Sequence, residues 1–305
     1  MKKWVFLFPG QGSQYVGMGR EFFDSYVEVR ELFAQAADIL QMDVEKLCFE
    51  GPEETLVRTE NVQPAITVMN LACLTVLRLH EIYPSAAAGH SLGEYSALYA
   101  AGVLDVKDLL TMVRWRGVLM QEAADQTPGS MAAVMDLEEE KLQEICHECR
   151  IEVANINSPG QIIITGPVEG VDQAMTLSSD AGAKKCVKLN VSGPWHSRCM
   201  QFAKDKFEPI VRGCNFHDPS IPVINNIDAC PLPNAEAVTG KLVNQLCSPV
   251  LWRHSVEQLI GMGYDHFVEV GPKTVLKGLM RRIDRSAKAM NVEDPASLTA
   301  FLSAN

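Results

Sequence analysis

The chain has 305 residues, of which 47% are hydrophobic and 21% charged, and 27 Lys and Arg stand against 38 Asp and Glu for a formal charge of -11. That length holds one large core or two domains, and the ordinary apolar and charged fractions exclude extended disorder. The negative balance excludes a phosphate-neutralising nucleic-acid binder, and no uncharged apolar run approaches the roughly 18–20 residues of a membrane span.

Val5 to Phe8 reads as a first core strand, entering the loop Pro9-Gly10-Gln11-Gly12-Ser13-Gln14. Its glycines and its amide and hydroxyl side chains suit a loop that approaches a ligand. The spacing of Gly10, Gly12 and Gly17 is not that of a dinucleotide site, and no acidic residue closes a second strand about 20 residues on. The apolar run after Lys2-Lys3 stops at Pro9, short of a secretory core of about 7–15 residues. Together with nine scattered cysteines that read as reduced thiols, this gives a cytoplasmic protein as the expectation.

Helical periodicity covers Glu21 to Leu40, Glu54 to Thr59 and Ile66 to Leu79, the last opened by Gln63-Pro64-Ala65. Next come a short buried strand, Ala86 to Gly89, a sharp turn and a helix from Glu94 to Ala101. Gly89-His90-Ser91-Leu92-Gly93 fits the G-x-S-x-G nucleophile elbow, in which a strained serine needs neighbours without side chains. The following helix would aim its free N–H groups and dipole at charge developing beside Ser91. Val106 to Ala124 is another helix. Its Arg114 and Arg116 point to different faces, so at least one sits beside the apolar face, paired with a protein carboxylate or awaiting one from a ligand.

Residues 130 to 191 read strand, helix, strand, strand, helix, strand, which is the ferredoxin-like order. We expect a small subdomain over 129–192, inserted into a larger α/β core of 1–128 and 193–305, with a ligand cleft between them. Cys146-His147-Glu148-Cys149 has metal-like spacing but no second pair, and it reads as an ordinary helix end. Beyond Pro194 come helix Met200 to Val211, strand Val223 to Asn225, helices Ala235 to Leu246 and Trp252 to Met262, strand His266 to Val270, and a basic helix from Thr274 to Lys288. A serine nucleophile needs a base. Of seven histidines, His196 lies in a small-residue loop at the mouth of the expected cleft and is the best candidate. His90 adjoins the serine in a tight turn and is assigned to packing.

Six stretches in order carry a family resemblance: Phe8-Pro9-Gly10-Gln11-Gly12-Ser13-Gln14, Gly89 through Ala97, Arg116-Gly117, Asn157-Ser158-Pro159-Gly160-Gln161, His196 with Gln245-Leu246-Cys247-Ser248-Pro249-Val250, and Glu269-Val270-Gly271-Pro272. Over its whole length the chain resembles the malonyl-CoA:acyl-carrier-protein transacylases of bacterial fatty acid synthesis and the related acyltransferase domains of polyketide synthases. The resemblance implies an α/β fold, with a large α/β-hydrolase-like core around a parallel sheet carrying the ferredoxin-like subdomain. It implies Ser91 as nucleophile, His196 as general base and then acid, and a backbone carbonyl near Gln245 orienting the imidazole. It further implies an oxyanion hole from the N–H groups of Gln11 and Leu92, and Arg116 gripping the malonyl carboxylate, with Gln63 and Asn157 lining the same pocket. No metal or cofactor is expected. The implied partners are malonyl-CoA and an acidic holo acyl carrier protein, docking on Lys273, Lys277, Arg281, Arg282, Arg285 and Lys288 or on Lys184, Lys185 and Lys188.

Trp195, before the expected base, occupies a position that varies with acyl specificity in the family. It is bulkier than the serine or phenylalanine expected there, which leaves malonyl against methylmalonyl open. Alternatives are a trans-acting polyketide synthase acyltransferase, a proofreading thioester hydrolase of the same fold, and a non-catalytic carrier-binding module. An ordinary esterase would want Ser, then Asp or Glu, then His near the C-terminus, together with an H-G-G-G-type oxyanion loop, and no such loop is found.

Overall fold

A computed structural model describes residues 2–305. All five residues of β1 (Trp4–Phe8) are buried, as a strand covered on both faces requires. The other strands are β2 (Ala86–Gly89), β3 (Ser130–Met135), β4 (Glu152–Ser158), β5 (Gln161–Gly166), β6 (Lys185–Lys188), β7 (Val223–Ile224), β8 (His266–Val270) and β9 (Lys288–Val292). One sheet runs β7-β2-β1-β8-β9, with every pairing parallel.

Alternation along β1 sorts its side chains between two layers of helices. Phe6 and Phe8 pack with Thr59–Leu79 and Val106–Gln126, while Val5 and Leu7 pack with Trp252–Gly261 and Val275–Ile283. The helix Thr59–Leu79 is long and apolar enough to span a membrane by composition, but 83% of its most apolar window is buried inside the fold. It is a core helix.

The second sheet is antiparallel in the order β4-β5-β3-β6, the strand arrangement of a ferredoxin-like unit. Helices Glu139–Cys149 and Val168–Asp180 cover one of its faces, and Cys146 and Cys149 belong to that apolar layer. The opposite face, through Met131, Ala133 and Ile163, joins the core of the larger sheet. Val250 ties the two together, donating its N–H to Ala154 O at 2.8 Å and accepting from Ile156 N–H at 2.9 Å.

Two expectations need correction. The helix expected over Glu21–Leu40 is broken at Tyr26, which is extended (φ -124°, ψ 126°), into Arg20–Ser25 and Val27–Leu40. The basic helix expected to reach Lys288 stops at Ile283, and Lys288–Val292 is an edge strand paired in register with β8. Its five residues, Lys288-Ala289-Met290-Asn291-Val292, are mostly half-buried and give no strict alternation to read, because pairing with β8 rather than its own periodicity makes it a strand. A closing helix, Pro295–Ala304, follows with an Asp294/Ser297 capping box.

Candidate active site

The turn after β2 is held from three sides. Ser91 has φ 51°, a left-handed conformation uncommon outside glycine. Its N–H donates to Asn226 Oδ1 at 2.7 Å, while Asn226 Nδ2 donates to Gly89 O at 2.7 Å. Gln245 Nε2 donates to Ser91 O at 3.1 Å. Strain of about 1–3 kcal/mol persists only where surroundings over-determine it, and these contacts supply that. The glycines on either side are steric necessities. A Cβ on Gly93 would stand 1.9 Å from Phe8 O, and one on Gly89 would stand 1.9 Å from Gly93 C.

His196 reaches the serine from the loop after β6. Its Nε2 lies 2.8 Å from Ser91 Oγ and its Nδ1 lies 2.9 Å from the backbone oxygen of Gln245. A carbonyl only accepts, so Nδ1 carries the hydrogen and Nε2 presents its lone pair to Ser91 Oγ.

Arg116, from helix Val106–Gln126, is 1% exposed and is the second polar group on the serine. Its Nη2 donates to Ser91 Oγ at 3.1 Å and to Gln245 Oε1 at 3.0 Å, and its Nη1 donates to Gln63 Oε1 at 2.8 Å. The guanidinium lies 5.5 Å from the centre of the Tyr95 ring. Among the described residues no carboxylate pairs with it, and Nε has no hydrogen-bond partner. Arg114, by contrast, turns away to donate to Glu60 O at 2.9 Å.

These groups open into a cavity of about 280 Å³ between the two sheets. Gln11, Ser91, Leu92, Arg116, Asn157, Trp195 and His196 line it. Gln63 and Gln245 stand one layer behind, holding Arg116 by their side-chain oxygens instead of forming the wall. Asn157 Oδ1 pairs with His90 Nε2 at 2.8 Å, and the His90 ring lies against Trp252. Trp195 is 5% exposed and folds over Gly193, where a Cβ would stand 2.6 Å from the indole. Apolar walls come from Met131 and Ile163 of the antiparallel sheet and from Val275, Leu276 and Leu279.

Residues 5–299 match the acyl transferase domain family. The chain belongs to that family. It is 40% identical over 303 residues to the malonyl CoA-acyl carrier protein transacylase of Bacillus subtilis, covering 98% of this chain and 96% of that one. The enzyme of the same name from Escherichia coli K12 is also 40% identical, with 99% of each chain covered. Among solved structures, the malonyl-transacylase of a type II polyketide synthase, in complex with its acyl carrier protein, superposes with TM-score 0.96 at 39% identity over 100% of both chains. A malonyl-CoA:acyl carrier protein transacylase from Xanthomonas oryzae superposes with TM-score 0.95 at 41% identity, covering 100% of this chain and 98% of that one.

Electrostatics in this acyl transferase site follow from burial beside a cation. Burial first, and the Arg116 charge second, push His196 down to about 3, so the imidazole is neutral at neutral pH. We expect the rate at which an uncharged organophosphonate labels Ser91 to stay level from about pH 8 to about pH 5, measured by intact mass. A fall centred near the ordinary histidine value of about 6.5 would mean an imidazole that charges freely, contrary to this geometry.

Sequence reasoning missed Asn226, which clamps the elbow from 135 residues away, and Glu94, which it quoted in the motif without a role. The signal for Asn226 is weak. It is a fully buried amide just after the two-residue strand β7, within a stretch that reads as apolar edge and turn.

Proposed function

We propose that the protein transfers a malonyl group from coenzyme A to the phosphopantetheine thiol of an acyl carrier protein through a malonyl ester on Ser91. One observation carries the reading: the nucleophile Oγ is shared between a neutral imidazole nitrogen and a buried guanidinium that has no protein carboxylate. An acyl group seated there is favoured if it brings its own anion, since the nearest protein carboxylate, Glu94, reaches the guanidinium only through the Gln245 amide and leaves it without a direct anionic partner. The names of the relatives agree.

In the first half-reaction Ser91 Oγ attacks the thioester carbonyl and gives its proton to His196 Nε2. The N–H groups of Gln11 and Leu92 receive the developing oxyanion, and Arg116 grips the malonyl carboxylate in a bidentate geometry that lysine lacks. Collapse expels the CoA sulfur, which takes the proton from His196. In the second half the imidazole accepts the pantetheine thiol proton, sulfur attacks the ester, and Ser91 recovers its proton. The Gln245 carbonyl, accepting from Nδ1, orients the ring and stabilises the imidazolium where a triad would use a carboxylate. Asn157 and Trp195 would bound the acyl group, and Gln63 and Gln245 would hold Arg116 ready for it.

We further propose the division into a core of 1–128 and 193–305 and a subdomain of 129–192, and a cytoplasmic setting. The two basic stretches considered for carrier docking meet, because Lys184 and Lys185 share one shallow groove with Arg282 and Arg285. The helix that bears Arg282 also lines the catalytic cavity through Leu276 and Leu279. Reversing Arg281 and Arg282 to Glu is expected to raise KM for carrier protein about tenfold and leave that for malonyl-CoA unchanged. An equal effect on both would rule out docking there.

The functional test is intact-protein mass after brief exposure to malonyl-CoA, followed by holo carrier protein. A malonyl adduct that discharges onto the carrier supports the transfer. An adduct lost to water at the same rate with or without carrier would make the protein a hydrolase.

A further inference from the structure

Glu94 lies three residues past the nucleophile and has no part in the steps above. It is 2% exposed, and a charged side chain is almost never buried to that degree without a partner. Among the described residues no guanidinium or ammonium touches it. Its Oε2 accepts from Gln245 Nε2 at 2.6 Å and from Asn226 N–H at 3.2 Å. The other end of the same Gln245 amide accepts from Arg116 Nη2 at 3.0 Å. A single amide therefore joins a buried anion to a buried cation, with its N–H end on the carboxylate and its oxygen on the guanidinium. That polarity aligns the amide dipole with both charges.

The charged and titratable groups facing Glu94 are few. Arg116 approaches from helix Val106–Gln126, Asp228 from the segment after β7, and Tyr95 from its own helix. His196 meets the opposite side of Gln245. With the pocket empty, Arg116 and Glu94 balance. A carboxylate arriving on Arg116 places two buried anions beside one cation, and an uncompensated buried charge costs several kcal/mol. Protonating Glu94 removes that excess. Burial already pushes its carboxyl up to about 7, against the bonds from Gln245 and Asn226 and the pull of Arg116.

We propose that Glu94 is a positioning and charge-balancing residue: it fixes the Gln245 amide with its oxygen on Arg116, and takes up a solvent proton when a dicarboxylic acyl group binds. The inference rests on the reading of Arg116 given above. Both hydrogen bonds that Glu94 accepts from Asn226 and Gln245 end on Oε2, so Oε1 carries the proton. Because binding is coupled to proton uptake, affinity for a malonyl donor falls as pH rises above neutrality, by up to about tenfold per pH unit. Affinity for an acetyl donor does not.

The experiment is calorimetric binding of malonyl-CoA and acetyl-CoA to Ser91→Ala protein, in buffers of differing ionisation enthalpy, from about pH 6 to about pH 9. We expect malonyl-CoA to take up about half a proton more than acetyl-CoA near pH 7, rising toward one proton above about pH 8. The difference should vanish when Glu94→Gln is added, since its amide oxygen still accepts from Gln245 but binds no proton. A difference that survives Glu94→Gln, or tight malonyl-CoA binding without extra uptake, overturns the role of Glu94 alone. Malonyl-CoA bound no tighter than acetyl-CoA overturns the reading of Arg116, and this inference with it. Should Glu94→Gln fail to fold, infrared difference spectra of the natural sequence, loaded with carbon-13 malonyl groups, decide the matter. A new protonated-carboxyl band at the unlabelled frequency is expected, and its absence overturns the proposal.

Discussion

Ser91→Ala is expected to abolish the acyl-enzyme and to lower malonyl transfer by about 10⁴- to 10⁶-fold, the scale on which serine acyl-transfer enzymes lose activity without their nucleophile. The atom removed is the one on which His196 Nε2 and Arg116 Nη2 converge. Nothing else nearby replaces it, because Ser13 and Ser96 spend their hydroxyls on Gly10 O and on Asn70. The three contacts that hold the turn use the backbone of residues 89 and 91, so they survive the substitution. Thermal unfolding should therefore move by no more than about 1 kcal/mol, while intact mass after malonyl-CoA shows no adduct. An adduct that persists in Ser91→Ala would mean that another group is acylated, and the ester mechanism would have to be withdrawn.

Arg116→Ala should act on selection more than on the chemistry itself. Truncating one partner of a buried, hydrogen-bonded charge pair costs about 2–5 kcal/mol, or roughly thirty- to several-thousand-fold in kcat/KM for malonyl-CoA. Acetyl-CoA, with no carboxylate to lose, should fall far less, so the ratio of the two specificity constants narrows by about the same factor. Arg116→Lys should recover only part of the loss. An ammonium keeps the charge but cannot reproduce donation to Gln63 Oε1, Gln245 Oε1 and Ser91 Oγ from one rigid plane. Competition kinetics with paired donors would measure the ratio. Equal losses for malonyl-CoA and acetyl-CoA would make Arg116 a prop for Ser91 and leave the selection of the acyl group to Trp195 and the apolar walls.

Much of this molecule is written locally. The G-x-S-x-G turn, the apolar runs of β1 and β8 and the βαββαβ order are short-range patterns. Each is enforced by sterics or by period within a few residues, so each is legible along the chain. His196 could be proposed from its loop, and the roles of Ser91, Gln11, Leu92 and Arg116 came with the family resemblance. Other features depend on pairings across the fold. The edge strand β9 exists because β8 offers it hydrogen bonds, and its own five residues carry no strict alternation. Gln245 meets Ser91 across 154 residues and Glu94 across 151, and no local period encodes which end of its amide faces Arg116. That orientation is decided where a buried anion and a buried cation compete for one side chain, a choice that exists only once both have been taken out of water. The sequence by itself therefore determined the G-x-S-x-G turn, the layer order and the kinds of group available. The tertiary structure alone decided which polar groups satisfy one another inside, because buried donors and acceptors must find partners wherever the packed chain happens to bring them.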